Sequence, residues 1–360
     1  MEATSQVSVD LAGGAAARTG PRVLIVRLSA IGDVIHGLPV LCALRRAHPN
    51  AFLGWVVEGR PGDLLEGHAA LDALIRLPRR WLKSPSTVWE VRRALRGLHF
   101  DVTFDLQCLT KSSVAAWLSG TKRRIGVGGS DGREFSKWLN NELVRPSAGH
   151  VIEHYLAIAS PLGIDASPVE FRLSERLADA QPIDSFLASG GLAGRRFAVL
   201  NPGAGWPSKL WPVDRYAAVA DHLGRQQNMP SVVVWAGPDE RAMAETIVAG
   251  SGPHARLAPP TSMPQLAALC RRAGLFVGSD TGPMHLAVAV GTPSVSLHGP
   301  SRASWCGAYG PRNRALQARF DSSKKRRLAD NAAMRAISVD DVCKACDELL
   351  AEHEMMKQRA

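Results

Sequence analysis

No stretch of the sequence approaches the roughly 18 uninterrupted apolar residues that a membrane-spanning helix needs. The amino terminus, Met1 to Gly20, lacks the charged-then-apolar pattern of a secretory signal and reads as a flexible leader on a protein that stays in the cytoplasm. Six cysteines lie scattered at 42, 108, 270, 306, 343 and 346, and only Cys343 and Cys346 form a C-x-x-C. No second pair stands at zinc-ribbon spacing, so these two are expected to pack as small hydrophobes on one face of a helix over 338–352. There is no nucleophile elbow, no complete P-loop and no H-E-x-x-H, which removes three common catalytic designs. Aromatic residues are 6% of the chain and do not interleave with basic ones as a single-strand nucleic-acid platform would. No nucleic-acid partner is therefore expected.

The 360 residues present suffice for about two domains, and 46% hydrophobic against 21% charged residues marks a folded chain. The formal net charge is +10. Lys and Arg outnumber Asp and Glu by 20 to 14 in residues 1–160 and by 23 to 19 in the rest. The excess is clustered: Arg76, Arg79, Arg80 and Lys83; Arg92, Arg93 and Arg96; Lys122, Arg123 and Arg124; and 324–327. Such surfaces favour anionic partners, whether phosphorylated substrates or an acidic membrane face, although each cluster alone also fits an ordinary solvated helix.

Arg22 to Leu28 is a short β-branched run suited to a strand buried on both faces. A Gly-containing turn and a helical stretch toward His48 follow, with a kink or a short helix expected before Pro39. Residues 53–57 and 101–106 read as further strands, and 88–98 and 112–118 as helices. The second half repeats the alternation: 197–200, 231–235, 275–277 and 294–297 each lead into Gly-rich turns. Strands alternating with helices predict an α/β fold of parallel sheets covered on both faces. Ligands of such domains bind beyond the carboxyl ends of the strands. The expected domains are a leader 1–20, a first Rossmann-like domain 21–165, a linker region 166–194, a second Rossmann-like domain 195–335 and a carboxyl-terminal helix 336–360.

The strongest local signal is Gly278-Ser-Asp-Thr-Gly-Pro-Met-His285. A strand ends there and a helix begins with Pro283 in its first turn, so N–H groups and the positive helix end are available to a diphosphate. Asp280 reads either as a helix cap or as an acceptor for substrate hydroxyls. Lys209, in a loop restrained by Pro and Trp, offers an ammonium for phosphate. Glu240 either caps the next helix or accepts from a ribose hydroxyl. In the first half, Asp33 after the first strand reads as a helix cap or a general base, with His36 one turn on as an alternative base.

Five segments occur in order: R-L-S-A-I-G-D-V-I-H-G-L-P, W-V-V-E, D-L-Q-C-L-T-K-S, N-P-G-A-G-W-P-S-K-L-W-P and S-D-T-G-P-M-H-L-A. Together they resemble glycosyltransferase family 9, the ADP-heptose:lipopolysaccharide heptosyltransferases, from about Arg22 to Glu352. The second and third lean toward its heptosyltransferase I branch. The resemblance implies a GT-B fold, two facing Rossmann-like domains with parallel sheets. It implies an inverting transferase that moves heptose from ADP-L-glycero-D-manno-heptose to the Kdo of Kdo-lipid A. By position, Asp33 matches the family's proposed base and Lys209 the lysine near the donor diphosphate. Glu240 matches the ribose-binding glutamate, and Asp280 the aspartate on heptose hydroxyls. Thr281 and Gly282 then offer N–H groups to the diphosphate. Arg60, Arg79, Arg80, Lys83 and Lys111 are the expected contacts to the anionic acceptor. Neither metal nor cofactor is implied, and the enzyme is expected at the inner face of the cytoplasmic membrane, touching its anionic surface.

Cys108 stands where the heptosyltransferase I motif has Gly, and Ala204-Gly205-Trp206 replaces Thr-bearing residues of that branch. These departures keep a heptosyltransferase II-like or protein acceptor open. A nucleotide-sugar epimerase on the same fold is the remaining alternative.

Overall fold

The computed structural model describes residues 6–15, 18–129, 135–147, 149–322 and 326–359, with the side chains of 356–359 excepted. The chain divides into two compact units, Met1–Ser174 and Glu175–Ala360.

The first unit has seven strands: β1 (Ser8–Leu11), β2 (Arg22–Val26), β3 (Phe52–Glu58), β4 (Ala73–Leu77), β5 (Val102–Asp105), β6 (Arg123–Val127) and β7 (Glu142–Val144). Its helices are α1 (Ile31–Ala47), α2 (Pro85–Gly97), α3 (Thr110–Leu118), α4 (Ser136–Leu139) and α5 (Val151–Ala159). The sheet order is β1-β4-β3-β2-β5-β6-β7, parallel except for β1. Leu24 and Val26 of β2 and Val56 of β3 are fully buried against Trp81, Val91, Leu95 and Ala115. Val23 and Ile25, on the other face of β2, are fully buried too, which gives the double-sided burial that a β-branched central strand requires.

The expectation of a flexible leader over 1–20 fails at Ser8–Leu11. This segment pairs antiparallel with β4, Ser8 opposite Arg76 and Leu11 opposite Ala73. It satisfies the edge of β4, whose backbone groups would otherwise stand unpaired. A second difference lies at Pro39. Helix α1 does not stop before it but runs on to Ala47, forgoing the bond that a residue-39 N–H would have given.

The second unit has β8 (Ala198–Asn201), β9 (Ser231–Val233), β10 (Ala255–Leu257), β11 (Leu275–Ser279), β12 (Ser294–Leu297) and β13 (Asn313–Leu316). Its helices are α6 (Leu177–Ser189), α7 (Val213–Gln227), α8 (Gly237–Gly250), α9 (Met263–Arg272), α10 (Gly282–Ala289), α11 (Ala303–Cys306), α12 (Ala332–Arg335) and α13 (Val339–Arg359). The sheet is wholly parallel in the order β10-β9-β8-β11-β12-β13. Helix α6 lies inside the stretch read from sequence as a linker. The Ser262 hydroxyl accepts from Gln265 N–H and the Gln265 side chain accepts from Ser262 N–H, so a capping box closes the start of α9. Cys343 and Cys346 of α13 are buried in the core with Leu349, Leu350 and Val342. Burial pushes the Cys343 thiol up to about 11 and Cys346 higher still, so both are inert packing groups.

Numbered within each unit, and setting β1 aside, both sheets run 3-2-1-4-5-6. The chain reverses direction across the sheet between β2 and β5 in one unit and between β8 and β11 in the other. That reversal is where open α/β sheets bind ligands.

Candidate active site

In the second unit the reversal point gathers the residues singled out from sequence. Asn201 closes β8, and its amide donates to Gly203 O (3.1 Å) and to Thr281 Oγ1 (3.3 Å), tying the loop after β8 to the loop after β11. Lys209 ends the 3-10 turn Pro207–Lys209. Its ammonium donates to Asp280 Oδ2 at 2.6 Å and to the Asp280 carbonyl at 2.8 Å, with the Trp206 ring 4.5 Å away. His285, one turn into α10, contacts Asp280 Oδ1 through Nε2 at 3.0 Å. The Asp280 side chain is 8% exposed. Burial opposes its charge, but His285 beside it, with Lys209 and His298, holds the carboxyl well below the usual carboxylate range.

Neither Asp280 nor Thr281 caps α10. Thr281 stands at the N-cap without a side-chain bond to the helix, and its hydroxyl donates instead to Ser279 O. The N–H groups of Thr281 and Gly282 have no acceptor among the described residues. The start of α10 therefore presents free donors and a positive dipole end beside the Lys209 ammonium. Asp280, His298 and Cys306 also bring donor atoms within 4.8 Å of one another. Lys209 already stands on that carboxylate as its cation, and burial with the Asp280 charge keeps the Cys306 thiol protonated.

Glu240 lies in the first turn of α8, and its Oε2 accepts from Ala236 N–H at 2.8 Å. The capping role is therefore real, while Oε1 has no partner among the described residues. Burial raises its carboxyl above the ordinary value, partly offset by the Ala236 N–H. Gly203 fits against it: a Cβ there would stand 2.2 Å from the carboxyl carbon. Arg327 lies 4.6 Å from the Trp206 ring, which gives part of the basic run 324–327 a place beside this loop. Lys324 and Lys325 fall outside the described residues.

In the first unit Asp33 sits at the third position of α1. Oδ2 accepts from Ala30 N–H (3.1 Å), and Oδ1 pairs with Arg27 Nη2 (2.8 Å). Arg27 is buried at 8% exposure, whereas Asp33 is 41% exposed. Capping and a solvent-facing carboxylate thus coexist. His36 is buried in α1 and not at the surface. Across the reversal point, buried Asp105 shapes the turn after β5, accepting from Gln107 and Cys108 N–H and from Ser113 Oγ and Asn140 Nδ2. Cys108 has φ of 50°, the left-handed region that Gly enters without cost, and its Sγ contacts Asp105 O and Val127 N.

Glu58 ends β3 on the same sheet edge. It pairs with Lys111 and accepts from Arg80 N–H. Lys111, expected to contact the anionic acceptor, therefore has an internal partner. Arg60, Arg79, Arg80 and Lys83 are exposed, and no side-chain ion pair engages any of them among the described residues.

The residues that sequence reading missed are those acting through others: Arg27, Asp105, Asn201, His285 and His298. His285 was visible in M-H-L-A, and Asn201 in N-P-G, but neither pattern states a contact. A cavity of about 600 Å³ lies at the opposite, amino edge of the second sheet, between Arg195, Arg271, Arg312 and Pro293, and contains none of the candidates.

Residues 88–334 match the model of glycosyltransferase family 9 (heptosyltransferase). The chain belongs to glycosyltransferase family 9. Lipopolysaccharide heptosyltransferase 1 of Pseudomonas aeruginosa is 30% identical over 311 residues, covering 80% of this chain and 81% of that protein. A family 9 glycosyltransferase from Veillonella parvula superposes with a TM-score of 0.77 at 23% identity, covering 92% and 97% of the two chains. A heptosyltransferase of Escherichia coli solved with ADP-2-deoxy-2-fluoro heptose gives 0.72 at 23%, covering 91% and 99%. The fold is accordingly GT-B, built from two Rossmann-like units, and the chain is a glycosyltransferase. At the second unit's reversal point, N–H donors without an acceptor among the described residues and the Lys209 ammonium together make an electropositive site. In the first unit, the half-exposed carboxylate of Asp33 is oriented by the buried Arg27 guanidinium.

Proposed function

We propose that this family 9 enzyme transfers heptose from ADP-L-glycero-D-manno-heptose to the Kdo of Kdo-lipid A, in building the inner core of lipopolysaccharide, at the inner face of the cytoplasmic membrane. The observation that carries the reading is the pairing of Lys209 with Asp280 beside the uncapped start of α10. A donor carries both an anionic diphosphate and a polyhydroxylated sugar, and these two side chains serve one each. On binding, Lys209 shifts its hydrogen bonds from Asp280 toward the diphosphate, with Thr281 and Gly282 N–H alongside. Asp280, kept ionised and oriented by His285, accepts from heptose hydroxyls. Glu240 uses its free Oε1 for a ribose hydroxyl.

A Kdo hydroxyl attacks the anomeric carbon while Asp33 takes its proton. The new C–O bond forms as the bond to the diphosphate oxygen breaks, the electron pair leaves with ADP, and configuration inverts through an oxocarbenium-like state. Lys209 and the α10 donors are worth most in that state, where charge on the leaving oxygen is greatest. The unpaired guanidinium groups of Arg60, Arg79 and Arg80, with Lys83, meet acceptor phosphates and carboxylates. Support for the donor comes from the heptosyltransferase relative and from the ADP-heptose analogue held by a protein of the same fold.

The test is an acceptor panel with ADP-heptose: Kdo-lipid A, heptosylated inner core, and a Ser/Thr-containing protein. Mass spectrometry should show one added heptose on Kdo-lipid A alone. Addition only to heptosylated core or to protein replaces the proposed acceptor, and conversion of the donor without any acceptor replaces transfer with epimerase or hydrolase chemistry.

A further inference from the structure

On one face of the first unit's sheet, α2 packs against α3 and α3 against α4, with the 3-10 turn Trp81–Lys83 leading into α2. The inner faces of α2 and α3 supply Val91, Leu95, Ala115, Ala116 and Leu118 to the core. Their outer surface is not the polar face such helices usually show. Trp89 of α2 is 58% exposed, Trp117 of α3 is 54%, Trp138 of α4 is 76%, and Phe135 just before α4 is 67%. A single exposed aromatic is ordinary, but four on three adjacent helices of one layer form a feature. Three of the nine tryptophans of the chain are placed there.

The charges around them have one sign. Apart from Lys111, which Glu58 takes up, the turn and the three helices carry Lys83, Arg92, Arg93, Arg96 and Lys137 against one acid, Glu90. In α2, Trp89, Arg92, Arg93 and Arg96 recur at helical spacing along one exposed stripe, with the Arg93 guanidinium 4.9 Å from the Trp89 ring. The Arg96 side chain lies within 3.2 Å of where a Gly120 Cβ would stand, bringing the stripe beside the end of α3. Tryptophan is enriched at the headgroup level of bilayers, where an amphipathic ring is better solvated than in water or hydrocarbon, and basic residues are drawn to anionic leaflets.

We infer that the outer surface of α2, α3 and α4 is a membrane-docking face, on which Trp89, Trp117 and Trp138 enter the headgroup region and the surrounding Arg and Lys hold anionic lipid. The positive charge selects an anionic bilayer as occupant over a second copy of the same basic surface, which it would repel. The turn Trp81–Lys83, with Leu82 39% exposed, makes this face continuous with the edge bearing Arg79, Arg80 and Lys83. A lipid-linked acceptor would then keep its acyl chains in the bilayer while its headgroup reaches that edge. This last step rests on the proposed function; the docking face does not.

The experiment is co-sedimentation of the full chain with vesicles of phosphatidylcholine alone and of phosphatidylcholine with phosphatidylglycerol. Binding is expected to the anionic vesicles only, with a blue shift of tryptophan fluorescence and release by salt. The triple variant Trp89→Ser, Trp117→Ser, Trp138→Ser should lose binding at least tenfold. Arg92→Glu with Arg93→Glu should weaken it further, at roughly fivefold per cation removed from the surface. All five sites are exposed, so the melting temperature should hold. Transfer to a water-soluble, deacylated acceptor should also be kept. Equal vesicle binding by wild type and the triple variant overturns the inference, as does wild type that ignores anionic vesicles. A change of oligomeric mass in the variant in place of lost vesicle binding assigns the face to a protein interface and also overturns it. Vesicle binding that depends on the tryptophans in an enzyme inactive on every Kdo acceptor would leave the docking face standing and remove the proposed function.

Discussion

Lys209→Met provides a direct physical test of the donor half. The substitution keeps the aliphatic stem and removes an ammonium, 14% exposed, from a carboxylate 8% exposed. Deleting one member of a buried ion pair costs about 3–5 kcal/mol, because the other charge is left desolvated. His285 still contacts Asp280 Oδ1, which places the expected loss near the lower figure, about 3 kcal/mol. In a unit spanning Glu175–Ala360 this lowers its melting temperature by roughly 6–12 °C. Asp280→Asn in the Lys209→Met background removes the stranded charge, so the double variant should be more stable than the sum of the two singles implies, by about 2 kcal/mol. The Asp280 carboxyl is depressed in the folded state, so its stabilisation is complete above the unfolded carboxylate value of about 4 and fades as pH falls through the folded value. The gap between wild type and Lys209→Met should therefore be full at neutral pH and shrink in acid. Urea unfolding at several pH values, with calorimetric titration of ADP, measures all of this. Additive singles, or a Lys209→Met variant as stable as wild type, would refute the reasoning.

Gly203→Ala should move the Glu240 carboxyl, the flexible end of the clash, with little loss of melting temperature but weaker ADP binding by titration calorimetry. Glu240→Gln should also weaken donor binding. Burial raises this carboxyl in the folded state, so the wild type loses stability as pH rises from the unfolded value through the folded one. Glu240→Gln should match or exceed wild type in melting temperature at pH 7 and lose any advantage near pH 4. Cys108→Gly should be more stable than Cys108→Ala by about 1 kcal/mol in denaturant titration, since both lose the Sγ contacts and only Gly escapes the left-handed cost.

The alternation of apolar runs with Gly-rich turns carried the two-sheet architecture, because central strands buried on both faces announce themselves as β-branched runs. Residues 22–28 did so for β2, and 275–277 for β11. Edge elements did not. S-V-D-L of β1 is four residues long and acquires meaning only from pairing with β4, some sixty residues away. Helix α6 was hidden in a stretch whose composition suggested a linker. The site shows the same division. Asp280, Thr281 and Gly282 were legible because strand, turn and helix start are contiguous, and the start of a helix has fixed chemistry. The Lys209–Asp280 bond spans 71 positions, and no local pattern states it. Arg27 was read as part of a strand, although its guanidinium is the buried group that orients Asp33. Lys111 had the residue type for an acceptor contact, yet Glu58 takes it up.

The measurement that bears most directly on heptosyl transfer is ADP release from ADP-heptose, with and without Kdo-lipid A, by wild type and Asp33→Asn. Asn preserves the shape of the side chain and can still accept from Ala30 N–H, but it cannot take a proton. Release by wild type should require the acceptor, and Asp33→Asn should lose it by two orders of magnitude or more, while titration calorimetry shows unchanged ADP affinity. Acceptor-independent release by wild type, or full activity in Asp33→Asn, would contradict the account.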